Sequence, residues 1–267
     1  KLNFELNSKL KIIFPAPFSS LNPKQTIRTI LGRAYEIQHI ASGKERDRQI
    51  EELCVTTGID PELLDHYPHE LDGGNRQIVG IARALSVHPE FIVCDEPVSS
   101  LDVSVQAKII NRLMDLQKER NLAYLFISHD LSVVKHISHR IAVMYLGQIV
   151  EMANSDTIFA NAMHPYTIAL LSAVPRVDVD HNVHRIVLKG DVPSPVNPKP
   201  GCRFAPRCWM ASPECFDHEP ALTEVEPGHY VACPYASMSA GRLDAFIHSS
   251  SANVVTQRTS ANTGDAE

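Results

Sequence analysis

Apolar positions along the chain recur with two spacings, and the alternation between them outlines the fold. Residues 10–14 form a short apolar string that stops at Pro15 and reads as a strand entering a loop. Residues 26–58 carry helical spacing (Ile27, Ile30, Leu31, then Ile50, Leu53, Cys54) around a charged stretch at 44–48. Residues 61–71 form a short link interrupted by turns. Asp72-Gly73-Gly74 precedes a helical pattern at 78–85, Asp72 suits its N-cap, and Pro89 stops it. The apolar run 91–94 ends in Asp95-Glu96-Pro97, and 103–119 reads as an amphipathic helix. A second apolar run, 123–127, ends in Ser128-His129-Asp130. Two further strands, 140–145 and 148–152, are joined at Leu146-Gly147. Buried strands alternating with helices predict an α/β domain with a mostly parallel sheet. Ligands of such sheets sit at the carboxyl ends of the strands. Both apolar runs end there in carboxylates or an imidazole.

The pattern changes after about residue 155. Prolines become dense (Pro175, Pro193, Pro195, Pro198, Pro200, Pro206), which predicts a separate loop-rich extension over 156–236. From about 237 the chain is rich in Ser, Ala, Asn and Thr and reads as a disordered tail. No stretch approaches the roughly 20 apolar residues that span a bilayer. The first residues lack the apolar centre of a secretory signal. The cytoplasm is then the default location, with membrane association coming through a partner. Lys+Arg is 25 and Asp+Glu is 31, a net charge of −6, which argues against a broad nucleic-acid surface.

Phe91-Ile92-Val93-Cys94-Asp95-Glu96 offers two kinds of chemistry. An Asp at the end of a buried strand can position Mg²⁺ through its water shell. The adjacent Glu can polarise an attacking water. Taken alone, these are also two solvated acids ending a strand. Around them lie Asp72-Gly73-Gly74-Asn75-Arg76-Gln77, Ser99-Ser100-Leu101-Asp102 and His129. In that order the sequence resembles the ABC transporter ATPases. Ser19-Ser20-Leu21-Asn22-Pro23, Tyr67-Pro68-His69-Glu70, Asp95-Glu96-Pro97-Val98-Ser99, Asp102-Val103-Ser104, His164-Pro165-Tyr166-Thr167, Gly190-Asp191-Val192-Pro193-Ser194-Pro195 and Gly201-Cys202-Arg203-Phe204 look like its oligopeptide/dipeptide importer branch. The resemblance runs from about residue 10 to 236.

It implies an α/β, P-loop NTPase-like ABC nucleotide-binding domain, incomplete, over 1–155, with a helical subdomain near 24–72 and a small Cys-rich C-terminal extension. It implies ATP and Mg²⁺ as cofactors. Asp95 would support Mg²⁺, Glu96 would be the catalytic base, and His129 the switch histidine at the γ-phosphate. Asp102 would link two ATPase subunits. Gly73 and Gly74, flanked by Asp72 and Asn75, would bring a helix N-terminus to the phosphate held by the partner subunit. Implied partners are a second ATPase subunit and two membrane permeases, with a periplasmic peptide-binding protein acting indirectly and no nucleic acid. The implied place is the cytoplasmic face of a bacterial inner membrane.

Three departures qualify this. The sequence contains no G-x-x-x-x-G-K-[S/T] phosphate loop, so the chain looks like an ABC ATPase missing its N-terminal third, with slight ATP affinity and hydrolysis expected. Pro15 stands where the family places a glutamine after Ile12-Ile13-Phe14, and Pro17 stiffens the loop further. Asp72 and Asn75 stand where the family's signature has serine and glutamine. Two unit charges about 4 Å apart repel by about 4 kcal/mol at an effective dielectric of ~20, so an ionised Asp72 would oppose a phosphate; the other reading of Asp72 is a helix cap. A non-catalytic regulatory or binding paralogue, or a gene remnant, that does not hydrolyse ATP is the rival expectation.

Cys54 and Cys94 lie in apolar stretches and read as core. Cys202, Cys208, Cys215 and Cys233 cluster in the extension. Four thiolates suit Zn²⁺ or a [4Fe–4S] cluster, with free thiols or disulfides also open. The branch carries a similar cysteine set, and the resemblance implies [4Fe–4S] ahead of zinc, serving as a structural staple.

Overall fold

A computed structural model describes residues 8–15, 20–174 and 185–239. The chain divides after Ile137 into two compact units. The tail expected from 237 lies outside the described residues, apart from a short helix at Ala236–Ser239. Pro17 and residues 175–184 lie outside them too.

The first unit is a three-stranded parallel sheet with helices. Its order is β1 (Leu10–Ile13), β2 (Phe91–Asp95) and β3 (Ala123–Ile127). The pairing sets Ile13 beside Cys94, Cys94 beside Phe126 and Asp95 beside Ile127. Ile13, Ile92 and Cys94 face a core shared with Leu31, Val79, Leu85, Leu113 and Leu116. Cys54 and Cys94 are both fully buried, as their apolar surroundings imply.

The helical stretch at 26–58 is two helices, α1 (Ile27–Ile37) and α2 (Gly43–Thr57). Gly58 ends the second with φ +77°, a left-handed position that costs glycine little. The link at 61–71 is two 3₁₀ turns, Pro61–Asp65 and Pro68–Glu70. Then follow α3 (Gly73–Leu85), α4 (Val103–Arg120) after β2, and α5 (Leu131–Ile137) after β3. Asp72 caps α3, and Asp102 caps α4.

The second unit departs from the mostly parallel sheet expected of the α/β domain. β4 (Arg140–Tyr145) and β5 (Gln148–Asn154) are antiparallel. The physical reason is the connection. Leu146 and Gly147 both have positive φ, +45° and +81°, and a two-residue turn of that kind returns the chain beside itself. The sheet is completed from the extension, in the order β4-β5-β7-β6, with β6 at Thr223–Glu226 and β7 at His229–Val231. Helices α6 (Ser155–Ala160), α7 (Pro165–Ser172), α8 (Glu214–Asp217) and α9 (Ala236–Ser239) and a 3₁₀ turn at Ala205–Arg207 fill the remainder. Tyr145, Tyr166 and Phe204 pack their rings together at centroid distances of 4.6–5.4 Å. Phe204 is 1% exposed. Arg203 donates to the carbonyl of Leu146, and Gln148 to Glu219. The cysteine-bearing loops are thereby fastened to the β4–β5 turn.

Candidate functional site

Parallel β2 and β3 end at the same edge of the sheet, so the residues that follow them meet. The Glu96 N–H donates to the Ile127 carbonyl at 3.0 Å, extending the ladder by one step. Glu96 has φ +42°, which costs a residue with a Cβ about 1–2 kcal/mol. The Ser99 N–H and hydroxyl both donate to its carbonyl and hold that conformation. Strained positions of this kind gather at functional sites. The result is that Glu96 Oε1 lies 3.3 Å from Nδ1 of His129. Asp95 sits beside them, partly buried, as the last residue of β2. Its hard oxygens match Mg²⁺ chemistry, and the exposed Glu96–His129 pair faces water.

The other expected nucleotide residues form a second group. The N–H of Asn75 donates to Asp72 Oδ1 at 2.7 Å, and its side-chain amide donates to Oδ2 at 2.7 Å. Asp72 therefore neutralises its own helix terminus. Val105 N–H donates to Asp102 Oδ1 at 3.0 Å, as does the Ser104 hydroxyl at 2.7 Å. The Ser104 hydroxyl, then that N–H, hold Asp102 below the usual carboxylate range. A Cβ on Gly74 would stand 2.7 Å from Val105 Cγ1, and one on Gly73 3.2 Å from Leu101 Cδ2. Gly74 thus lets α3 pack closely against the start of α4 at Val105, while the Gly73 contact with Leu101 is tight but to a movable side-chain end. Sequence reasoning assigned them only to ligand approach.

In the second unit Cys202, Cys208, Cys215 and Cys233 all line one cavity of ≈ 370 Å³. His164, Met210, His218 and Tyr235 share its wall. Burial pushes the Cys208 and Cys233 thiols up to about 11 and raises Cys202 as well. Among the described residues no set of three His, Cys, Asp or Glu side chains is drawn together closely enough to hold a metal. The four donors ring a common space without forming a closed coordination shell. The sequence located the thiols, but nothing in it pointed to His164 or His218 as neighbours.

Residues 5–99 match the ABC transporter family, and residues 150–215 match the oligopeptide/dipeptide transporter C-terminal region. The chain is 52% identical over 236 residues to YkfD of Bacillus subtilis strain 168, covering 87% of this chain and 72% of that protein. The chain belongs to the ATP-binding subunits of oligopeptide/dipeptide ABC transporters. The Bacillus subtilis oligopeptide transport ATP-binding protein AppF is 48% identical, with 87% and 71% covered. The Haemophilus influenzae dipeptide transport ATP-binding protein DppF is 47% identical, with 84% and 69% covered. Among solved structures, the dimeric bacterial ABC transporter cassette MJ0796 superposes with a TM-score of 0.52 at 26% identity. That match spans 58% of this chain and 66% of the cassette. That likeness is to the ABC cassette fold. No described helix is long and apolar enough to cross a membrane.

Proposed function

We propose that the chain is the energy-coupling ATP-binding subunit of a peptide-import ABC transporter, and that Asp95, Glu96 and His129 form its hydrolytic edge. The observation that carries this is the 3.3 Å approach of Glu96 and His129 at the ends of adjacent parallel strands. ATP supplies a terminal phosphoryl group for transfer to water. Asp95 offers oxygens to Mg²⁺. Glu96 accepts a hydrogen bond from water and orients it. His129 reaches the same space and donates to a phosphate oxygen. Asp102 and the start of α3, Asp72 to Asn75, face a second ATPase subunit. Through that pair the subunit works on two membrane permeases fed by a periplasmic peptide-binding protein, at the cytoplasmic face of the inner membrane. These 267 residues contain no glycine-rich phosphate loop, so the triphosphate cradle is not among the groups described.

Asp72 favours a second reading, a regulatory subunit that does not hydrolyse ATP. Its carboxylate already takes the Asn75 N–H that a phosphate would use. Glu96→Gln separates the two. If Glu96 orients water, the purified full-length chain loses hydrolysis about a hundredfold while nucleotide binding is kept. Equal phosphate release by both proteins removes Glu96 from that role and leaves the regulatory reading.

The four cavity cysteines are proposed to hold a [4Fe–4S] cluster or Zn²⁺ as a staple for the extension. The donors fit by identity, since all four thiols line one cavity. Anaerobically purified protein should contain iron or zinc in fixed proportion to chain, with an iron–sulfur absorbance band in the first case. Metal-free protein with four alkylatable thiols would refute the assignment.

A further inference from the structure

β5 turns one acid inward. Glu151 is 0% exposed, and three nitrogens lie within hydrogen-bond distance of its carboxylate. The Met163 N–H donates to Oε1 at 2.7 Å and the His164 N–H to Oε2 at 3.0 Å. His229 Nε2 lies 2.7 Å from Oε1. His229 is itself 1% exposed, and its Nδ1 has no hydrogen-bond partner among the described residues. Burying a carboxylate costs several kcal/mol unless it is fully satisfied, and an acceptor-only group facing three N–H donors meets that condition. Neither residue belongs to the nucleotide chemistry.

The donors come from two places far apart in sequence, Met163–His164 and His229, and both lead into the cysteine cavity. His164 lines the cavity wall. β7 runs from His229 to Val231 and straight into Ala232 and Cys233, which line it too. Met163, Val231, Ala236 and Cys233 pack as one small cluster beside the pair. Apolar contacts alone tolerate sliding, whereas a satisfied buried polar network selects one arrangement. Donor atoms for a metal must be held within about 0.5 Å, and three of the four thiols sit on irregular loops.

We propose that Glu151 and His229 form a buried clasp that positions Cys233 and the His164 wall of the cavity. This inference rests on the reading of the cysteines as a metal site, but the placement of the thiols is measurable without metal. Glu151→Gln retains size but turns an N–H₂ group toward an N–H donor. His229→Gln supplies a donor in place of Nε2–H, while His229→Leu supplies none.

The test uses the full chain, stripped of metal and reduced, with iodoacetamide labelling of each cysteine followed by mass spectrometry. Loss of one buried hydrogen bond raises local opening by about tenfold. We expect Glu151→Gln and His229→Leu to raise the labelling rates of Cys233 and Cys208 about tenfold, with Cys54 unchanged and His229→Gln close to wild type. Unchanged Cys233 labelling in Glu151→Gln overturns the proposal. So does equal behaviour of His229→Leu and His229→Gln, or a matching rise at Cys54, which marks general loss of structure. Iron and zinc content of unstripped wild type is measured in parallel. Metal-free wild type sinks the metal reading and leaves the labelling result to stand by itself.

Discussion

Gly201→Ala should destabilise the second unit by about 4 kcal/mol, summing a left-handed backbone cost and a steric overlap. Gly201 has φ +88°, and a Cβ there would lie 2.5 Å from the Cys215 carbonyl oxygen and from the Phe216 backbone. Those are backbone atoms, so no rotamer change relieves the overlap. The close approach has a cause: the Cys202 N–H donates to the Cys215 carbonyl at 2.8 Å, tying two cavity cysteines together. The same loop is tied elsewhere, because Tyr235 donates to Ser212, whose hydroxyl lies 3.5 Å from Cys215 Sγ. Trp209 reports on this unit, being the chain's single tryptophan and packed near Ile168, Ala169 and Ile186. Urea unfolding followed by Trp209 fluorescence is the measurement. Gly190→Ala is the control: Gly190 has φ +76° but nothing within 4 Å of the added carbon. It should cost about 1–2 kcal/mol from backbone strain alone. Equal midpoints for the two variants would show that the Cys215–Phe216 contact is not tight.

The contrast between the two units explains what the sequence disclosed. In the first unit the information is local. Phe91–Asp95 and Ala123–Ile127 are apolar runs that stop at charged or polar residues, and parallel pairing brings the stops together. Asp72 before a helical pattern is a cap signal, and it caps α3. In the second unit the information is distant. β7 is three residues long, and its His229 meets Glu151 across 78 positions of chain. β6 is exposed throughout, so it carries no alternation of buried and exposed residues. β7 is too short to carry a periodic signature and β6 has none; β7 pairs on the edge of β5, and β6 in turn on β7. The cysteines were visible as a cluster, yet the cavity is closed by His164 and residues 232–235, which no spacing rule connects. The glycines of α3 carry the complementary lesson. Their sequence context pointed outward to a ligand, while Val105 supplies an inward reason for the missing side chain of Gly74.

Acid should loosen the second unit through His164. The residue is 1% exposed, and burial lowers its pKa from 6.5 to about 4. Its Nδ1 accepts the Tyr166 N–H at 3.1 Å and caps α7, a role a doubly protonated ring cannot fill. Above pH 6.5 the side chain is neutral in folded and unfolded chains, and this group makes no pH-dependent contribution. Between pH 6.5 and 4 the unfolded chain binds the proton and the folded chain does not, so stability falls as pH falls. Below about pH 4 both forms are protonated and the loss, about 3 kcal/mol, is complete. His164→Asn keeps a side-chain acceptor for the Tyr166 N–H and removes the titration. Its neutral-pH stability drops because a buried ring is lost, so the informative quantity is the slope with pH. Trp209-monitored urea midpoints taken from pH 7 to 4 should fall more steeply for wild type than for His164→Asn. Parallel slopes would mean that His164 gains its proton in the folded chain as easily as in the unfolded one, and that the cavity wall is open to water.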